Sequence, residues 1–350
     1  MEFLNEFKQP LKETDENDYI FYEGDSLEKY IFGCPAKEDG IMKKIADLQP
    51  IFNENYEKHT NERLSESNAQ PSGVRLRFKT DSPCIVLKAE LRRRYAHGKM
   101  LLYCSSGFDV YFGDCSSGNL THHTVIAPKE PYNIFAEKIY ISAGKFTEIY
   151  FPNYNCVINL AVGIEKGKTL VAAPDYSHDR TVIFYGNSMT QDASASRSGN
   201  AFPNIVSRRF KCNIVNYSFS GACRGELSMA DAIGKDKNRI GAVVIDYSRN
   251  ALNLGEFKSR FEPFYLRLRK YFPYQPFILI GAYKAYAYTA HIKDVYMRQR
   301  DSGRVYFIDP DKLFVDLDQI ALSIDNIHYT DIGMFRIADE ICRILEYSMQ

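Results

Sequence analysis

Ser188 stands in Tyr185-Gly186-Asn187-Ser188-Met189-Thr190-Gln191, directly after the apolar run Thr181-Val182-Ile183-Phe184. A strand that ends in Gly-x-Ser presents a hydroxyl at the carboxyl end of a sheet, where open α/β folds place their chemistry. By position alone, capping of the next helix explains such a serine equally well. Asp325-Asn326-Ile327-His328, near the C-terminus, adds weight to the chemical reading. A serine, a histidine and an aspartate are the parts of a hydrolytic triad. The expected chemistry is acyl transfer through Ser188, with His328 as base. Asp325, three residues earlier in a tight turn, can reach the imidazole Nδ1 and fix its tautomer.

Of the seven histidines, only His291 and His328 lie in the region of alternating strands and helices that starts at residue 181. Donors for an oxyanion should sit on loops after the neighbouring strands. Asn216-Tyr217-Ser218-Phe219-Ser220-Gly221 follows the second strand of that region, and the Gly221 N–H can approach charge with no side chain in the way. Asp246-Tyr247-Ser248-Arg249-Asn250 follows the third, and the Asn250 amide is a natural donor. The Ser188 N–H would complete the hole. Arg249 could bind an anionic substrate or simply face solvent. Tyr283-Lys284-Ala285-Tyr286-Ala287-Tyr288 follows the fourth strand, and Tyr283 and Tyr286 are candidates to stack on a sugar ring or close over an acyl group. Packing against the other half of the chain explains that loop as well. His122-His123 has no further ligand pattern around it, so no metal and no cofactor are expected. Arg92-Arg93-Arg94 reads as a solvated strand end.

Two regimes of pattern position these residues. From about 181 onward, strands at 181–186, 212–217, 242–247, 276–281 and 304–308 alternate with helical stretches near 200–210, 256–271, 290–301 and 331–346. That alternation predicts a parallel sheet with helices on both faces. Thr330 or Asp331 can cap the last helix. From about 73 to 165 the pattern is short strands and turns, the signature of an antiparallel β-sandwich. Val74-Arg75-Leu76-Arg77-Phe78-Lys79 alternates apolar and basic residues and predicts a half-exposed strand. Cys84–Leu91, Phe108–Phe112, Ile139–Ile141, Glu148–Phe151 and Val157–Val162 continue the series. A polar helix is expected over 51–66 and a short strand over Tyr19–Tyr22. The reading divides the chain into an N-terminal extension packing on the sandwich (1–50), a sandwich (51–175) and an α/β catalytic domain (176–350).

The 350 residues carry zero net charge and no long basic run, which argues against nucleic-acid binding. The N-terminal residues show no signal-peptide pattern, and no run of about 18 apolar residues suggests a membrane span. The eight cysteines form no C-x-x-C pair, and several lie in apolar strands, which fits buried thiols and a cytoplasmic location. A homo-oligomer is compatible with this reading.

Taken together, these blocks resemble the SGNH (GDSL-like) hydrolase superfamily. Four fall in the family order: Ser188 in Gly-x-Ser-x-Thr, Gly221 in Asn-x-x-x-Ser-Gly, Asn250 in Asp-x-x-x-Asn, and Asp325 with His328 in Asp-x-x-His. Gly107-Phe108-Asp109-Val110-Tyr111 is similar to the Gly-x-Asp-Leu-Tyr motif of a bacterial branch with an N-terminal β-sandwich. Ala195 to Pro203 and Ser220 to Glu226 also resemble that branch. Asn187, Ser218 and the pair Ser248-Arg249 depart from its usual residues. The resemblance implies a flavodoxin-like hydrolase domain that removes small acyl groups, often acetyl from carbohydrates. The expected partner is therefore a small-molecule or carbohydrate ester. An acyltransferase using the same triad, or a carbohydrate-binding protein with a vestigial hydrolase half, are the alternatives.

Overall fold

In the computed structural model, residues 16–37, 40–41, 70–92, 100–129 and 133–349 are described. The helix expected over 51–66 and the residues Arg93 and Arg94 lie outside them.

The C-terminal regime forms one parallel sheet of β1 (His178–Gly186), β2 (Cys212–Ser218), β3 (Ile240–Asp246), β4 (Phe277–Ile280) and β5 (Val305–Ile308). Their order is 2-1-3-4-5, the flavodoxin-like order, with the change of direction between β1 and β3. The connecting helices include α1 (Ser188–Gln191), α2 (Phe202–Phe210), α3 (Leu227–Gly234), α4 (Leu254–Tyr271), α5 (Tyr286–Gln299) and α6 (Asp331–Ser348). Side chains alternate across β1, so Ile183 and Tyr185 enter a core with α3, α4 and α5, while Val182 and Phe184 enter a second core with α2 and α6. Burial on both faces is why β1 reads as a continuous apolar run. Helix α3 and the one-turn α1 are too short to show a clear helical period in the sequence.

The N-terminal regime forms two antiparallel sheets facing one core. One runs Tyr19–Glu23, Val157–Glu165, Cys84–Leu91, Ile134–Tyr140. The other runs Leu170–Ala172, Arg75–Thr80, Lys145–Tyr150, Phe108–Asp114, Leu120–Ile126, with Ile31–Phe32 also paired to Arg75–Thr80. Leu120–Ile126 has no sequence signal because its centre, Thr121-His122-His123, is polar and exposed at a sheet edge. No helix among the described residues is long and apolar enough to cross a membrane.

The strand Arg75–Thr80 departs from expectation. Arg75 and Arg77 do not face water; they are 0% and 3% exposed. Glu148 on the neighbouring strand accepts from Arg77 Nε at 2.8 Å, with Arg75 Nε at 3.6 Å. Arg75 also donates to the Tyr176 hydroxyl, to the Gly73 carbonyl and to Asn213 Oδ1 of β2, and the Tyr176 ring covers Arg77. The basic face of this strand is thus covered by the linker before β1 and by the parallel sheet. Pairing and stacking offset the desolvation of both guanidinium groups.

Arg77→Met leaves Glu148 buried with a weaker partner, and is expected to cost about 3 kcal/mol of stability in urea unfolding. An unchanged midpoint would mean that the pair contributes nothing to holding this face.

Candidate active site

The nucleophile turn is built by close packing. A Cβ on Gly186 would lie 2.1 Å from Thr190 Oγ1 and 2.9 Å from the Asp246 carbonyl oxygen, so only glycine lets β1 end here. Asn187, not Ser188, caps α1: its Oδ1 accepts from Met189 N at 2.8 Å. Ser188 Oγ is therefore left for other work, and it lies 2.8 Å from His328 Nε2.

His328 comes from the loop between β5 and α6. Asp325 Oδ2 is 2.9 Å from His328 Nδ1, and Asp325 Oδ1 accepts from the backbone N–H groups of Ile327 and His328 at 3.1 and 2.9 Å. Asn326 closes this turn at φ 65°, a left-handed conformation that asparagine tolerates. A carboxylate on Nδ1 keeps the ring proton there and leaves Nε2 to accept from the serine hydroxyl. The His328 side chain is 22% exposed, so the line of three groups opens to solvent. Thr330 stands at the N-cap position just before α6, yet its hydroxyl donates to the Ala321 carbonyl and makes no capping bond. Asp331 instead accepts from Ser196 N, Ser196 Oγ and Asn200 Nδ2, tying the histidine loop to the segment after the nucleophile.

Gly221 and Asn250 meet beside this line. Gly221 has φ 71° and donates its N–H to Asn250 Oδ1 at 3.0 Å, while Asn250 Nδ2 donates to the Phe219 carbonyl at 3.1 Å. The Ser188 N–H is in the first turn of α1, where a helix has no acceptor of its own to offer. Arg249 is half-buried; it donates to the Tyr283 carbonyl instead of facing solvent. Tyr283 differs from expectation: it is 2% exposed, bonded to Gln319 and packed edge-on to Phe314 and Tyr329, so its ring face is not offered to a substrate. The aromatic cluster at the end of β4 won over the loop surface. Tyr286, at the start of α5, is 83% exposed.

Several residues around the site carried no role in the sequence reading. Tyr154, from the sandwich half, donates its hydroxyl to the Ser188 carbonyl at 3.1 Å. Asp109 of the Gly-x-Asp-x-Tyr segment is fully buried and accepts from Gly199 N at 3.0 Å, with Arg197 Nε at 3.1 Å and His122 Nε2 at 3.0 Å. A Cβ on Gly199 would be 2.4 Å from Asp109 Oδ2, so this segment docks backbone against carboxylate. Asp246, under the nucleophile turn, accepts from Thr190 Oγ1 at 2.9 Å and Asn187 Nδ2 at 3.3 Å. Burial pushes its carboxyl up to about 7, against the opposing pull of those two donors and of Arg249. Among the described residues no group of three or more His, Cys, Asp or Glu is placed to hold a metal ion.

Comparison with known proteins follows the division of the fold. Residues 179–346 match the GDSL-like lipase/acylhydrolase family, and residues 49–170 match the family described as the N-terminus of SGNH-hydrolase-type esterases. No curated protein matches the sequence. The fold is similar to that of a protein described as a GDSL-like lipase from Bacteroides ovatus, at 20% identity and TM-score 0.76, covering 94% of this chain and 98% of the other. It is also similar to the salicylyl-acyltransferase of a tetracycline biosynthetic pathway, at 16% identity and TM-score 0.73, over 94% and 97% of the two chains. A family two carbohydrate esterase from Cellvibrio japonicus aligns at 13% identity and TM-score 0.54, over 79% and 90%.

Asp246 gives a pH test. Its neutral form is favoured in the fold, so its contribution is complete below about pH 4 and is lost as pH rises through about 7. Asp246→Asn is uncharged throughout. Between pH 5 and pH 8 the parent should lose about 2 kcal/mol more stability than this variant in urea titrations. Parallel pH profiles would show that Asp246 is ionised throughout.

Proposed function

We propose, from the match of residues 179–346 to the GDSL-like lipase/acylhydrolase family, that this chain is a serine esterase that removes a small acyl group, acetyl foremost, from a carbohydrate or related metabolite. The reading rests above all on the Ser188–His328–Asp325 line, with its 2.8 and 2.9 Å contacts at the carboxyl end of β1.

Ser188 Oγ attacks the ester carbonyl carbon as His328 Nε2 takes its proton. Asp325 holds the imidazole and stabilises its cationic form. The Ser188 N–H, the Gly221 N–H and Asn250 Nδ2 receive the oxyanion. As charge develops, the Gly221 N–H exchanges Asn250 Oδ1 for the stronger, charged acceptor. His328 then protonates the departing alcohol, and a water deprotonated by His328 releases the acid and restores Ser188. Tyr286, exposed at the start of α5, offers its ring to a sugar, and Arg249 acts by holding the loop that leads to it. The carbohydrate part of the reading is supported by the fold shared with a family two carbohydrate esterase.

The second reading is acyl transfer, in which a sugar or metabolite hydroxyl takes the place of water. It is favoured by the likeness of both halves together to a salicylyl-acyltransferase. Product analysis with an acetylated donor and a hydroxyl acceptor separates the two: free acetate alone means hydrolysis, and an acylated acceptor means transfer.

Ser188→Ala should lower p-nitrophenyl acetate hydrolysis by about 10⁴-fold or more and abolish the single adduct that a fluorophosphonate leaves on the parent. Asn250→Ala should lower kcat by about 10²–10³. Ester hydrolysis that survives Ser188→Ala in purified protein would sink the assignment.

A further inference from the structure

Ser188 is followed three residues later by Gln191, which is fully buried and has every polar group engaged. Its side-chain Nε2 donates to Gln70 Oε1 at 2.5 Å and to the Asn153 carbonyl at 3.0 Å, both in the sandwich half. Its Oε1 accepts from Ser220 N at 2.7 Å, in the loop after β2. Its own N–H reaches the Asn187 carbonyl, and its carbonyl accepts from Ser72 Oγ at 3.3 Å. The Asn153 carbonyl can only accept and the Ser220 N–H can only donate, so the amide has one orientation that satisfies both.

We propose that Gln191 is a positioning residue through which the sandwich half sets the oxyanion loop, making the two halves one catalytic unit. The inference rests on the serine-esterase reading above. Gly221 has no side chain with which to fix its own peptide, and its φ of 71° depends on the hydrogen bonds that its backbone and its neighbours make. Phe219 N is bonded to the Gly186 carbonyl, Ser220 N to Gln191, and Gly221 N to Asn250. Two of these three anchors belong to the nucleophile turn, so the serine and the oxyanion donor move as one piece. Gln191 ties that piece to Gln70 and Asn153. A displacement of about 1 Å at a donor is enough to cost about 10²-fold in rate.

The two substitutions at this position separate positioning from stability. Gln191→Met removes the acceptor of Ser220 N and both donors. Gln191→Glu keeps the acceptor but turns a buried carboxylate toward two acceptors, so it is the less stable of the pair. The experiment measures kcat and KM for p-nitrophenyl acetate, the rate of fluorophosphonate labelling, and Tm, on the full chain. Arg77→Met, in the sandwich and away from the loop, is the stability control. Positioning predicts that kcat and labelling fall about 10- to 100-fold in Gln191→Met with KM within threefold of the parent. It also predicts a smaller kcat loss in Gln191→Glu despite its lower Tm, and a kcat within threefold of the parent in Arg77→Met. A Gln191→Met kcat within threefold of the parent, or losses that simply follow Tm across the three variants, would overturn the proposal. A parent that is folded yet neither labelled nor active would instead remove the serine reading, and this inference with it.

Discussion

The end of β1 cannot carry a side chain. Gly186 sits against Thr190 Oγ1 and the Asp246 carbonyl oxygen, closer than any Cβ would allow. That contact bends the chain from strand into α1 within one residue, and it decides where Ser188 points. Asn187 and Thr190 then bond Asp246 beneath the turn, while Asn187 takes the capping duty that would otherwise compete for the serine. The hydroxyl is presented outward because the groups around it have been satisfied inward. The position of the turn, where the sheet changes direction between β1 and β3, brings loops from β2, β3 and β5 to it.

The same economy of polar groups governs the boundary between the two sheet systems. It is not an apolar seam but a set of buried charges and amides: Arg75 with Tyr176 and Asn213, Asp109 with Gly199 and Arg197, Asn153 and Gln70 with Gln191. A buried charge left unpaired costs several kcal/mol, so such a boundary tolerates few alternative dockings. It therefore specifies the relative placement of the sandwich and the nucleophile turn more sharply than an oily contact of the same area would. Tyr154 on the Ser188 carbonyl extends that placement to the serine itself, while Asp331 on Ser196 ties the histidine loop to the segment that follows it.

Much of this was legible beforehand. The parallel strands announced themselves as apolar runs buried on both faces, and α2, α4, α5 and α6 were each expected within a few residues of where they lie. The sandwich strands were found where alternation was clean and missed where a polar edge strand, Leu120–Ile126, hid it. Ser188, Asp325 and His328 were picked out by type and spacing, and the fold brings them into a line. Arg75 and Arg77 are buried against expectation because alternation shows that two faces differ, not which one meets water. Tyr283 is buried where substrate stacking and packing were both open, because an aromatic loop looks alike in sequence whether its rings are offered or buried.

What the sequence determined by itself is therefore local and periodic: the alternation of strands and helices, the glycine at the strand end, and the Asp-x-x-His turn, whose bonds span only three residues. What only the tertiary structure decided is pairing across distance. The partner of Ser188 lies 140 residues away, that of Arg77 71, and that of Gln191 121. A polar side chain carries no mark of which distant group will satisfy it. That choice is made when burial removes water and leaves each donor only the acceptors that the fold has brought within reach.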